Sequence, residues 1–181
     1  GYDYDVYERA SSFQPIGSAI GLGSNAMLAL RTLGVGEAVL KEGMPLHEQR
    51  FIDDQWRELN RVFLSSWNDD FGEETITIQR ADLHEALYNA LPRRKLHLNA
   101  PLIDWEKGED GYELLFTNGH RQQTDIIIAA DGIHSHIRQK VAPNSQKRYS
   151  GYTCWRGIAK NKDDIPLHIS HEAWSTKGRI G

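Results

Sequence analysis

About three-quarters of the way along the chain, "DGIHSHIR" places Asp131, Gly132, Ser135 and Arg138 at fixed offsets. No nucleophile is paired with a base, so the pattern reads as a binding site. The preceding block, Ile126 to Ala130, is continuously apolar, which predicts a strand covered on both faces in a parallel sheet. Ligands of such sheets bind beyond the carboxyl ends of the strands, where Asp131 falls. Gly132 removes a Cβ where backbone and ligand approach closely or where φ is positive. Ile133, Ile137 and Val141 recur every four residues and predict a helix after the turn. Its first amides favour negative charge, supplied by Asp131 or by a ligand phosphate. A carboxylate that merely caps this helix would account for Asp131. It would not account for Ser135 and Arg138 at fixed offsets.

A second acid stands in a similar place. "YDYDVYE", Tyr2 to Glu8, alternates polar and apolar residues and reads as a strand ending on Glu8. There a carboxylate can accept hydrogen bonds from both ribose hydroxyls of an adenosine. On context alone, a solvated strand-end charge accounts for Glu8 equally well. "GLGSNA", Gly21 to Ala26, matches the G-x-G-x-x-A form of the dinucleotide fingerprint. That fingerprint needs a strand before it and an acid at a strand end about 20 residues on. "SSFQPIGSAI" makes a poor buried strand and "LKEGMP" is no strand end, so this stretch is rejected as a pyrophosphate loop.

The elements that must position these residues form a mixed α/β pattern. Ser24 is expected to cap a helix running to about Leu40, with Met27, Leu30 and Leu33 on one face. A loop and strand segments with a turn at Asp53-Asp54 follow. A helix spans Ala81 to Leu91, where leucine recurs every four residues and Pro92 ends it. "KLHLN", "LIDWEKG", "YELLFTN" and "DIIIAA" read as short strands of a meander, with turns at Glu109-Asp110-Gly111 and Asn118-Gly119. Gly1 suits the residue after a helix C-cap. "HEAWSTKGRIG" reads as strand, turn, strand with no closing helix. Both ends therefore suggest an internal piece of a longer protein.

With 181 residues, 39% hydrophobic and 25% charged, the chain has the composition of a soluble globular protein. A net charge of -4 argues against nucleic acid or an anionic membrane as the main partner. No apolar run approaches the roughly 20 residues needed to span a bilayer. The single cysteine, Cys154, excludes an intrachain disulfide and suits the cytoplasm. It is expected as a small filler in a strand, with Tyr152 and Trp155 as core or cavity wall. His134 and His136, and His168 and His171, lack a third ligand at a familiar spacing, so no metal site is expected.

Asp125 through Arg138, "DIIIAADGIHSHIR", resembles position by position the Asp-Gly fingerprint of the single-component flavoprotein aromatic hydroxylases, the p-hydroxybenzoate and salicylate hydroxylase type. Four further passages resemble that family in the same order. They are "VYERA" at 6–10, "PIGSAIGLGSNAMLALRTLGVGEAV" at 15–39, "ITIQRADLHEAL" at 76–87 and "YSGYTCWRGI" at 149–158. The resemblance implies a partial Rossmann-like FAD-binding domain with an inserted β-meander over residues 1–145. Residues 146–181 would hold the first strands of an antiparallel-sheet substrate domain. It implies FAD contacts at Glu8, Arg9, Gly21, Arg80, Leu102, Asp131, Gly132 and Arg138. Glu8 would bind ribose, Arg80 would offset pyrophosphate charge, and Arg138 would bind or instead pair with acids and hold the turn. Arg156 would face the substrate cavity or stand exposed on its strand.

The implied reaction uses NADH or NADPH, FAD and O2 to hydroxylate an aromatic or similarly electron-rich small molecule, through a flavin C4a-hydroperoxide. The family's glycine fingerprint and its second Gly-Asp motif are expected before Gly1 and after Gly181, and weak or no FAD retention by the 181 residues alone. The alternatives are an FAD- or NAD(P)-linked reductase or dehydrogenase without oxygen insertion, and a non-catalytic truncated remnant.

Overall fold

The computed structural model describes residues 2–14, 17–161 and 165–181. The expected cap at Gly1 therefore lies outside the described residues, as do Pro15 and Ile16 of the loop. In chain order the elements are β1 (Val6–Tyr7), β2 (Ala19–Leu22), α1 (Ser24–Thr32), α2 (Gly36–Glu42), β3 (Met44–Pro45), β4 (Glu48–Asp53), β5 (Glu58–Phe63), α3 (Ser65–Phe71), β6 (Ile76–Gln79) and α4 (Arg80–Ala90). After a 3₁₀ turn (Arg93–Lys95) come β7 (Leu96–His97), β8 (Leu102–Lys107), β9 (Tyr112–Phe116), β10 (Arg121–Thr124), α5 (His136–Val141), β11 (Ile169–Ser175) and β12 (Gly178–Ile180). This is a mixed α/β chain, and it divides into two compact units.

One unit comprises residues 1–13 and 91–155. Here β1 pairs in parallel with β7, and Glu8 N extends the pair by donating to His97 O at 2.9 Å. Strands β8, β9 and β10 form an antiparallel meander in the order β10-β9-β8. Alternation on β9 turns Leu114 and Phe116 inward, where they form a core with Ala100. Tyr7, Leu102, Trp105 and Ile127 pack against that core. The Asn118-Gly119 turn closes β9 on β10: Phe116 N donates to His120 O at 3.0 Å, and Asn118 Oδ1 accepts His120 N at 2.9 Å.

The other unit comprises residues 14–90 and 156–181. Its three-stranded sheet runs β2-β6-β3, all antiparallel, and its four-stranded sheet runs β12-β11-β4-β5. Only the β4–β11 pair in that second sheet is parallel. Leu22, Met27, Val39, Ile76 and Ile78 form its core, each buried apolar side chain stabilising by about 1.5–3 kcal/mol. The β4–β5 hairpin turns at Asp53, whose Oδ1 accepts Gln55 N and Arg57 N, both at 2.9 Å.

Several expectations need correction. The helix from Ser24 breaks at Gly34, which has φ +78°. Gly34 N donates to Arg31 O and Val35 N to Leu30 O, the paired bonds of a Schellman stop, and α2 begins anew. Gly23 holds the cap position of α1. Ser24 is buried, with its hydroxyl 3.1 Å from that of Thr75, and Leu33 is exposed. Residues 19–22 do form a strand, but it runs antiparallel to β6, so "GLGSNA" is not part of a parallel βαβ unit. The third meander strand is the polar "RQQT", because the Asn-Gly turn returns the chain at once. Ile126 to Ala130 form no strand, and Ile126 and Ile128 are 66% and 89% exposed. A strand needs a hydrogen-bonded neighbour, and none lies beside this segment among the described residues. Residues 152–161 are likewise irregular. Cys154 is exposed, as are Tyr152 and Trp155, the last by 97%, so none of the three is core.

Candidate functional site

In the unit of residues 1–13 and 91–155, the segment from Ala129 to Val141 folds into a self-closing turn and short helix. Gly132 has φ +79°, a conformation costly for any residue with a Cβ, and a Cβ there would meet nothing within 4 Å. The backbone reverses at that point, and Ser135 N donates to Gly132 O at 3.1 Å. Ser135 is buried and caps α5, its Oγ accepting Arg138 N at 2.9 Å. Asp131 Oδ2 accepts His136 N at 3.0 Å. The Arg138 guanidinium donates to Ile133 O at 2.5 Å, tying the end of the turn to its beginning.

The electrostatics follow from these bonds. Burial pushes the Asp131 carboxyl upward, but hydrogen bonds from the Ser135 hydroxyl and the amides of residues 131, 137 and 136 outweigh it. The net effect holds the carboxyl below the usual carboxylate range. The α5 amides expected to attract either Asp131 or a ligand phosphate are therefore occupied by Asp131 and Ser135. Arg138 bonds a carbonyl of the turn, and it pairs with no acid among the described residues.

A cleft of about 570 Å³ opens on this turn. Its lining includes Ala129, Ala130, Asp131 and Gly132 from the turn and Ile137, Arg138 and Val141 from α5. Ala129 and Ala130 were not singled out in the sequence, although two small residues before an Asp-Gly pair are the available signal for room beside it. His134 accepts a hydrogen bond at Nδ1 from Lys147 Nζ at 2.9 Å.

The other expected residues of this unit are Glu8, Arg9 and Leu102. Glu8 is half-buried at the end of β1. Its backbone is pinned on both sides, and its Oε1 accepts Ala10 N at 2.8 Å. Its second carboxylate oxygen has no protein donor among the described residues. Arg9 is exposed, and Leu102 packs its side chain on the Ala100–Leu114–Phe116 core.

Gly21, Arg80 and Arg156 belong to the second unit. Gly21 lies in β2 opposite Thr77, and a Cβ there would meet nothing within 4 Å. Packing among the described residues does not explain the glycine. Arg80 opens α4, its N donating to Ser18 O at 3.2 Å and its side-chain stem lying against Gly17. Its exposed guanidinium makes no ion pair among the described residues. Arg156 is exposed on irregular backbone. In the same unit His168 stacks on His47 at 4.8 Å and donates through Nδ1 to Pro45 O at 2.7 Å, which makes it a structural fastener.

No family model matches the chain. Among curated proteins, it is 31% identical over 181 residues to the aurachin C monooxygenase/isomerase of Stigmatella aurantiaca, covering 100% of this chain and 47% of that protein. It is 30% identical over 162 residues to the FAD-dependent urate hydroxylase of Klebsiella pneumoniae, covering 88% of this chain and 42% of the other. Among solved structures, Klebsiella pneumoniae HpxO complexed with FAD and uric acid superposes with a TM-score of 0.85 at 26% identity. That match covers 97% of this chain and 45% of HpxO. The chain thus spans a little under half the length of the relatives it matches. Over that span it is a homologue of the FAD-dependent aromatic hydroxylases.

Proposed function

We propose that the protein is an FAD-dependent monooxygenase that consumes NADH or NADPH and O2 to hydroxylate an aromatic or heteroaromatic small molecule. The overall balance is substrate C–H plus O2, NAD(P)H and a proton giving substrate C–OH, water and NAD(P)+. The observation that carries the reading is the self-closing turn from Asp131 to Arg138, with its cleft at the end of an apolar segment. That turn reproduces residue by residue the fingerprint by which the sequence resembles this family.

Within each unit the residues present fit a part of FAD. Glu8 keeps one carboxylate oxygen for a ribose hydroxyl. Arg80, which makes no ion pair among the described residues, presents a forked donor set suited to pyrophosphate. Gly21 and Gly132 leave open space where a Cβ would otherwise stand. Asp131 organises the turn from its amides, and Arg138 supports it. Arg9 and Leu102 border the Glu8 end, and Arg156 faces substrate at the start of residues 156–181, whose strands share a sheet with β4 and β5. Bound FAD supplies the redox chemistry between NAD(P)H and O2; the chain's residues bind, orient and close the site.

The test is to express the longest reading frame containing this sequence and measure flavin absorbance, NAD(P)H oxidation and O2 uptake against a panel of aromatic and heteroaromatic compounds. The reading expects bound flavin and substrate-stimulated O2 uptake matched by a hydroxylated product. NAD(P)H oxidation with no oxygen incorporated would instead assign a reductase or dehydrogenase. Absence of flavin would overturn the cofactor itself.

A further inference from the structure

The Asp131–Arg138 turn continues into α5, a helix of six residues, too short to hold its own position. The side chain of Lys140, near its end, ties it to the meander. Lys140 Nζ donates to Asp104 Oδ1 at 2.6 Å and also to the carbonyl oxygen of Trp105, both on β8. The same ammonium lies 5.1 Å from the centroid of the Trp105 ring. The acceptor is set in advance, because Trp105 N donates to Asp104 Oδ1 at 2.8 Å. The ring is braced edge-on by Tyr112 at 5.6 Å.

What this fastener holds is a shared wall. Ile137 and Val141, on the same helix, line the cleft at Asp131 and also a second hollow of about 230 Å³ against Trp105 and Tyr112. A shift of α5 therefore alters both spaces together. Lys140 and Asp104 are each about half exposed, so their ion pair alone adds little to stability. The geometry favours placement of the helix over bulk stabilisation.

We infer that Lys140 is a positioning residue. Through Asp104 and Trp105 it fixes α5 on the meander, and so sets the width of the Asp131 cleft and the order of the turn that forms it. The consequence for FAD rests on the function proposed above; the consequence for the turn does not.

The experiment uses the longest reading frame containing the chain, with Lys140→Met, Lys140→Arg, Asp104→Asn and the control Lys107→Met. Hydrogen exchange of the His136 and Arg138 amides is followed against Leu114 and Phe116 in β9. Lys140→Met and Asp104→Asn are expected to speed exchange at His136 and Arg138 about fivefold while β9 is unchanged. Lys140→Arg, which keeps charge and cation–π contact, restores protection, and Lys107→Met matches wild type. The FAD dissociation constant, read by flavin fluorescence, rises about fivefold in the first two variants only. Equal loss of protection in the turn and in β9, or no loss in the turn, overturns the inference. So does a loosened turn with unchanged FAD affinity. If the wild-type protein binds no FAD, the proposed function fails, and the exchange comparison still decides the role of Lys140.

Discussion

Replacing Ser135 by alanine removes two interactions at one buried point. The Oγ atom accepts Arg138 N at 2.9 Å, so the variant loses the cap of α5. Such a loss typically costs about 1 kcal/mol and ranges over about 0.5–2 kcal/mol. The same hydroxyl donates to Asp131 and helps hold its carboxyl below the usual range. Because Ser135 is only 5% exposed, water replaces neither bond well. Together the losses come to about 1–2 kcal/mol, or a midpoint shift of roughly 2–8 °C for a chain of this size. The sign of the pH dependence follows from the direction of the Asp131 shift. A carboxyl depressed in the folded state contributes stability that is present above its unfolded value, near about 3.9, and is lost as pH falls through the folded value. Removing one donor lets the Asp131 carboxyl rise toward its ordinary value. The difference between wild type and Ser135→Ala is therefore largest near neutral pH and narrows below about pH 4. Denaturant unfolding at a series of pH values measures the difference, and carbon-detected NMR of the Asp131 carboxyl measures the titration. Ser135→Thr, which keeps a hydroxyl, should stay near wild type. If Ser135→Ala matches wild type at pH 7, or if the Asp131 titration does not move, the account of the turn is wrong.

Further outcomes follow from the same geometry. Gly132→Ala meets no atom but must hold φ near +79°, so it should cost about 1–2 kcal/mol by denaturant unfolding; a neutral result would mean that the turn readily adopts another conformation. Arg80→Met should weaken FAD binding by about tenfold, roughly 1.4 kcal/mol, with an unchanged unfolding midpoint, since the guanidinium pairs with no acid among the described residues. A matching fall in stability would assign Arg80 a structural role. Glu73→Gln should destabilise the unit of residues 14–90 and 156–181 by about 2 kcal/mol. The buried Glu73 carboxylate is held by two nitrogens of Arg31, one at 2.9 Å, and the half-exposed arginine keeps the cost below the 3–5 kcal/mol typical of a fully buried pair. Chemical denaturation followed by tryptophan fluorescence checks it.

What the sequence disclosed were features written in local chemistry. The Asn118-Gly119 and Asp53-Asp54 turns, the α4 boundary at Pro92 and the helix after the Asp-Gly pair all rest on neighbours within a few residues, and all four are present. So is the turn itself, because aspartate, glycine, serine and arginine at fixed offsets carry their own hydrogen-bond partners. Gly34 marks the break between α1 and α2, but the helical spacing of Met27, Leu30 and Leu33 carries the expected helix across it. Other features depend on contacts distant in sequence. The pairing of β4 with β11 joins residues more than a hundred positions apart, and Lys140 finds Asp104 across 36 positions. No local pattern encodes either.

The isoleucine segment shows why composition can mislead about state while informing about role. Three isoleucines and two alanines report that both sides of a strand are meant to be dry, which is a statement about neighbours. The described residues supply a neighbour on one side only: Ile127 packs on the Phe116 core, while Ile126 and Ile128 stand in solvent. A chain that left such a segment open by design would be expected to carry a lysine, a proline or a bulge there, as exposed strand edges do. "IIIAA" carries none of these. The apolar surface beside Asp131 and the open spaces at Gly21 and Gly132 therefore support one conclusion, that these residues are shaped for partners beyond those the described residues provide. For the glycines that partner is the proposed cofactor, and for the isoleucines it is an apolar surface of the kind that covers a buried strand.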